Sequence, residues 1–155
     1  MTSIQTPRDR RPRAAILYDG DCGFCRWALA KLLAWDRRGA LRPLALQTPE
    51  AKGLLAGMPE QERMASWHLV EADGAISSAG AAFAPLLRML PGGGPAAALA
   101  DRLPKVVDRC YRSVAGRRDL LGPLLTDGMR RRARARIAAR EGRSANGSPI
   151  SSHGA

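Results

Sequence analysis

Two of the three cysteines in this 155-residue chain, Cys22 and Cys25, stand two residues apart. They follow a short apolar run, residues 14–18, and a turn signal, Asp19-Gly20-Asp21. A helical apolar pattern starts just after them, at Trp27. A helix beginning at the first cysteine puts Cys22 near the N-cap and Cys25 in the first turn. The free N–H groups of that turn and the positive end of the helix dipole then favour a thiolate on Cys22. Cys25, one turn on, is close enough to form a disulfide and deep enough to be shielded. This arrangement suits thiol–disulfide exchange, with Cys22 attacking a disulfide and Cys25 resolving the mixed disulfide. Gly23 places no side chain over the sulfurs. Such chemistry needs no bound cofactor, because the cysteines carry the electrons.

Other readings of the same residues stay open. A Cys-x-x-Cys pair is also half of a zinc site, but zinc usually takes four ligands. Only Cys110, His68 and His153 remain, each alone. The cysteines could be structural and inert, or form a redox-sensing or partner-binding module without turnover. Asp19 and Asp21 oppose a thiolate, while the helix N-terminus and Arg26 favour one. Asp19 is a candidate proton acceptor for Cys25; the alternative is a turn residue that caps the backbone. Asp19-Gly20-Asp21 after a strand also resembles the nucleophile motif of haloacid-dehalogenase phosphatases. That family needs Thr or Val two places after the second Asp, where this chain has Gly23, and no later lysine and acidic pair fits.

The elements that must position these groups follow from patterning. Residues 14–18 read as a strand and 22–38 as a broadly buried helix, ended by Arg37, Arg38 and Gly39. Trp27 and Trp35 on that helix are expected to pack. Residues 41–47 read as a second strand, and Pro43 confines it to a sheet edge. Thr48 and Pro49 start a short helix that ends near Gly57, and 58–64 form an acidic connector. Residues 66–70 and 75–78 read as a hairpin with Asp73-Gly74 in its turn. A helix from Ser78 turns Phe83, Leu86, Leu87 and Leu90 inward, and residues 91–95 are a Pro/Gly loop. Leu103, Val106, Val107, Cys110, Tyr111 and Val114 share one helical face, which makes Cys110 a core residue rather than a third redox thiol. Beyond Pro123 the pattern weakens; 128–140 suit a basic helix and 141–155 disorder. The order predicts an α/β sandwich with a four-stranded mixed sheet, its hairpin antiparallel to the first pair.

Asp19-x-x-Cys22-x-x-Cys25 after an apolar strand resembles the signature of the DCC family of thiol-disulfide oxidoreductase-like proteins. The likeness continues through Asp36–Gly39, Leu44–Glu50, Trp67–Val70, Ser78–Ala82 and Val107–Arg112, covering about residues 14–125. It implies a thioredoxin-like fold and a disulfide- or thiol-containing substrate, protein or small molecule. Thioredoxin and glutaredoxin relatives carry a cis-proline just before the hairpin; this chain has Arg63-Met64-Ala65-Ser66 there.

The net charge of +11 sits mostly at the ends. Residues 1–13 hold four Arg and one Asp and read as a disordered basic arm; 126–155 hold seven Arg, Asp127 and Glu141 and read as a basic, largely disordered tail. The domain between is expected to span 14–125. Arg-rich ends could bind an anionic surface, but no aromatic or base-reading pattern accompanies them. No apolar run has the length of a membrane span or the form of a signal peptide, so a reducing cytoplasm is expected. In that compartment a Cys-x-x-Cys pair is catalytic or metal-binding more often than structural.

Overall fold

The computed structural model describes residues 14–145. Four strands, β1 (Ala14–Tyr18), β2 (Leu41–Ala45), β3 (His68–Glu71) and β4 (Ile76–Ser78), form one sheet in the order β2-β1-β3-β4. β1 and β2 run parallel, with Ile16 opposite Pro43; β3 is antiparallel to both β1 and β4. Pro43 therefore lies in an edge strand, where its missing N–H is tolerated. The hairpin turns at Asp73-Gly74, as its sequence predicts.

Eight α-helices flank the sheet among the described residues. They are α1 (Gly23–Trp35), α2 (Pro49–Leu54), α3 (Glu60–Ala65), α4 (Phe83–Met89), α5 (Gly94–Arg102), α6 (Pro104–Ala115), α7 (Arg118–Leu121) and α8 (Asp127–Ala145). Strand alternation splits the core in two. Ala14, Ile16 and Tyr18 face a cluster with Leu29 and Leu33 of α1, Leu86 of α4 and Ile137 of α8. Leu17, Leu44 and Val70 face Ala51 and Leu55 on the other side. This mixed sheet between helical layers is compatible with a thioredoxin-like fold.

Local signals explain most boundaries. Thr48 Oγ1 accepts from the Ala51 N–H at 3.2 Å and Pro49 opens α2, as expected. Gly39 follows α1 with φ +69°, the left-handed conformation that glycine enters without steric cost. Trp35 is exposed rather than packed, and its indole N–H donates to the Pro91 carbonyl at 2.9 Å. The acidic connector contains helix α3, and α5 begins inside the expected Pro/Gly loop. Proline is tolerated in the first turn of a helix, which explains Pro95 in α5.

Two larger expectations are also corrected. The first concerns residues 126–155, read as a basic, largely disordered tail in which only 128–140 suit a helix. Residues 127–145 fold into α8, which packs on α1 and β2. Ala133 and Ile137 enter the core, and full burial of an Ile side chain stabilises by about 1.5–3 kcal/mol. Some arginines of this helix are structural. Arg140 lies 9 % exposed against Asp36, and Arg130 donates to the Gly122 carbonyl at 2.9 Å. The basic arm, 1–13, and residues 146–155 lie outside the described residues.

The second correction is Cys110, which is exposed. On α6 the inward side is Val107 and Tyr111, half-buried, while Val106 stands 53 % exposed and Leu103 and Val114 are exposed with it. The apolar arc is wider than the surface α6 covers, so its outer half faces solvent. No helix among the described residues is long and apolar enough to cross a membrane.

Candidate active site

The end of β1, the turn 19–21 and the start of α1 bring the cysteines together. Cys22 is the N-cap of α1, with φ −79° and ψ 112°. Its carbonyl accepts the first helical bond, from the Arg26 N–H at 3.1 Å. Its Sγ accepts from the Cys25 N–H at 3.2 Å. A sulfur in the place usually taken by a Ser or Asp oxygen receives an otherwise unsatisfied backbone donor.

Cys25 has the opposite environment. Burial pushes its thiol up to about 12; the hydrogen bond with Cys22 and the charge on Cys22 add to this, then the Asp19 carboxylate, against the Arg118 cation. Neighbouring thiols thus differ in kind: one accepts a backbone N–H at a helix start, the other is held protonated. Both cysteines are free and half-buried in this structure.

Asp19 and Gln47 fix the turn ahead of Cys22. Asp19 Oδ1 accepts from the Asp21 N–H at 3.0 Å and from Gln47 Nε2 at 2.9 Å. Gln47 Oε1 accepts from the Gly20 N–H at 3.1 Å, and Nε2 also donates to Asp21 Oδ2 at 3.3 Å. Asp19 therefore does cap the backbone of its turn. It also lies within electrostatic range of Cys25, where a proton acceptor would have to be. Gln47 bridges both carboxylates and the loop backbone, a positioning role that spacing alone did not reveal. The available signal was its place, two residues past the end of the strand parallel to β1.

The far wall comes from the C-terminal helices. Tyr111 on α6 and Arg118 on α7 both interact electrostatically with Cys25. Burial raises the Tyr111 phenol, a backbone hydrogen bond with Trp67 opposes this, and Cys25 adds to the rise. Phe83 links the two aromatics edge-on, 5.3 Å from Trp67 and 6.1 Å from Tyr111 between ring centroids. α6 can approach this closely because residue 80 is glycine. A Cβ there would stand 2.5 Å from Asp108 Cα, a backbone atom that cannot step aside. Tyr111 and Arg118 were not foreseen as site residues, since no local pattern tells which helix returns to the cysteines.

The remaining candidates lie elsewhere. His68 is buried, its Nδ1 against Ser78 Oγ at 2.6 Å and its Nε2 against the Arg63 carbonyl at 2.9 Å. With both ring nitrogens engaged it offers no metal a lone pair, and burial lowers its pKa. Cys110 is exposed on α6. Among the described residues no three His, Cys, Asp or Glu side chains group as a metal site requires.

Comparison with known proteins gives one family. The model of the DCC1-like thiol-disulfide oxidoreductases matches residues 16–122, from β1 into the turn after α7. No curated protein and no solved structure matches the chain. The matched region holds the Cys22–Cys25 pair, the Asp19–Gln47 clamp and the Tyr111–Arg118 wall. The chain belongs to the DCC1-like thiol-disulfide oxidoreductase family.

Proposed function

We propose that the protein is a cytoplasmic enzyme that exchanges a Cys22–Cys25 disulfide with thiols or disulfides of proteins or small molecules. The observation that carries this reading is the unequal pair: Cys22 Sγ receives a backbone N–H at 3.2 Å, while Cys25 is buried behind it as a thiol.

In the direction that reduces the substrate and oxidises the protein, Cys22 thiolate attacks one sulfur of a substrate disulfide. A bond forms between Cys22 and that sulfur, and the other sulfur leaves as a thiolate. Cys25 then gives up its proton and attacks Cys22 Sγ. This closes the Cys22–Cys25 bond and releases the second substrate thiolate. Two electrons pass from the protein to the substrate, and the reverse sequence returns them. Asp19 serves as acceptor for the Cys25 proton, and Arg118 stabilises the anion that forms. Gln47 positions Asp19.

A thiol count by mass after alkylation, across a series of glutathione redox buffers, tests the reading. Cys22 and Cys25 should interconvert as a pair with one midpoint while Cys110 follows a separate course. A pair that never oxidises, or zinc retained in the intact mass, overturns it. A disulfide that forms reversibly but supports no turnover with a small disulfide substrate would favour the redox-sensing alternative.

A further inference from the structure

A pocket of about 350 Å³ opens where the C-terminal ends of the parallel strands β1 and β2 meet α8. The crevice beyond the carboxyl ends of parallel strands is where α/β folds commonly hold ligands. Tyr18 and Ile137, both buried, form its apolar part. Tyr18 is only 7 % exposed, and its hydroxyl, which bonds to no other described side chain or backbone group, is the part of it that reaches solvent. Arg26 and Arg134 bring two guanidinium groups to the wall; Glu141 and Asp21 bring two carboxylates. Arg26, Arg134 and Glu141 make no ion pair or side-chain hydrogen bond among the described residues. The pocket thus joins an apolar floor and a phenol to guanidinium and carboxylate groups, a lining suited to a small molecule that carries both charges.

The pocket adjoins the cysteines. Asp21 immediately precedes Cys22, and Arg26 lies one helical turn beyond it, its N–H bonded to the Cys22 carbonyl at 3.1 Å. Resting on the oxidoreductase reading, we propose that this pocket seats the non-reacting part of a small peptide thiol that carries both a carboxylate and an ammonium group. Arg26, Arg134 and the Tyr18 hydroxyl take the carboxylate, and Glu141 takes the ammonium. The sulfur then lies toward Cys22. The disulfide form of such a molecule reacts with both protein thiols, giving the Cys22–Cys25 disulfide and two molecules of the free thiol. Electrons and protons balance without a further reactant. The volume lies at the small end of the range for ligand sites, which fits a di- or tripeptide.

The probe is S-methylglutathione, whose capped sulfur cannot exchange, titrated into the reduced full-length chain and followed by amide NMR shifts. Saturable binding is expected, with shifts at Tyr18, Arg26 and α8. Acetylating the probe's ammonium or esterifying its carboxylates should each weaken binding about tenfold. The Arg134→Ala, Glu141→Gln double variant should do the same. No saturable binding overturns the proposal, and so does binding indifferent to the probe's charges. The charge-blocked probes decide the matter even if the double variant fails to fold. Exchange of the wild-type cysteines with the uncharged bis(2-hydroxyethyl) disulfide is measured alongside. Exchange without probe binding removes only this pocket's role; probe binding without exchange removes the oxidoreductase reading and leaves the site.

Discussion

Arg140 closes the far end of the helix that carries the cysteines, through Asp36. Its Nη1 stands 2.7 Å from Asp36 Oδ2, and its Nη2 donates to the Leu33 and Asp36 carbonyls at 3.0 and 2.9 Å. The Asp36 carboxylate also accepts from the Ala40 and Leu41 N–H groups, each at 2.9 Å. The last carbonyls of α1, the entry to β2 and the final helix thus share one buried network.

Removing one partner of a buried pair leaves the other charge uncompensated, at a cost of about 3–5 kcal/mol. Arg140→Met should therefore lower unfolding stability in urea by that amount. The double variant with Asp36→Asn should lose less than the two single losses added together. A single-variant loss below about 1 kcal/mol would mean the pair is not a structural anchor.

Alkaline pH should destabilise the reduced protein. The Cys25 thiol is raised from 9.0 to about 12 on folding, and Tyr18 from 10.0 to about 12. Both groups ionise more easily when unfolded, so the folded state holds more protons between these values. Their contribution is full below about pH 9 and is lost as pH climbs to about 12. Chemical unfolding of the reduced protein from pH 8 to 11 should show this decline, roughly by the slope expected for one to two protons. Cys25→Ala should flatten it; an unchanged slope would mean that Cys25 is not held protonated.

Asp19→Asn separates the two roles of that side chain. The amide oxygen can still cap the turn, so melting temperature should change little. Loss of the proton acceptor should slow resolution of the mixed disulfide by about a hundredfold near neutral pH. Stopped-flow release of a chromogenic thiol measures that step. A rate unchanged across pH assigns Asp19 to the turn alone.

Gly80→Ala tests how the wall reaches the cysteines. Its Cβ would meet Asp108 Cα, Cβ and N at 2.5, 2.8 and 2.9 Å, so α6 must shift. Overpacking of this kind costs about 1–3 kcal/mol. Tyr111 and Arg118 should retreat from Cys25, so iodoacetamide should reach Cys25 faster than in the parent chain. Loss of stability with unchanged alkylation would detach α6 from the site.

The cysteine end of the fold was legible because its signals are local. β1 has the predicted bounds, Cys22 caps α1, Pro43 marks an edge, and Thr48-Pro49 starts α2. What sequence concealed depends on contacts between distant segments. Arg140 reads as tail charge until Asp36 is seen beside it, 104 residues away. Cys110 shares a face with Tyr111 by periodicity, but only the limited reach of the neighbouring elements decides which of the two is covered. Gln47 sits in a stretch that suggested a strand end, and its function appears once β2 lies beside β1.

Pro43 has a consequence outside the chemistry. The unpaired backbone row of an edge strand is where a strand from another chain attaches and where filaments grow. β2 is such an edge, interrupted by a residue with no N–H and packed against α8. The opposite edge, β4, is only three residues long. Neither side offers a run of donors and acceptors long enough to template a neighbour. The sheet should therefore stay closed to its own copies at high concentration, and a polypeptide arriving at Cys22 must be held by side chains and loops rather than by joining the sheet at β2.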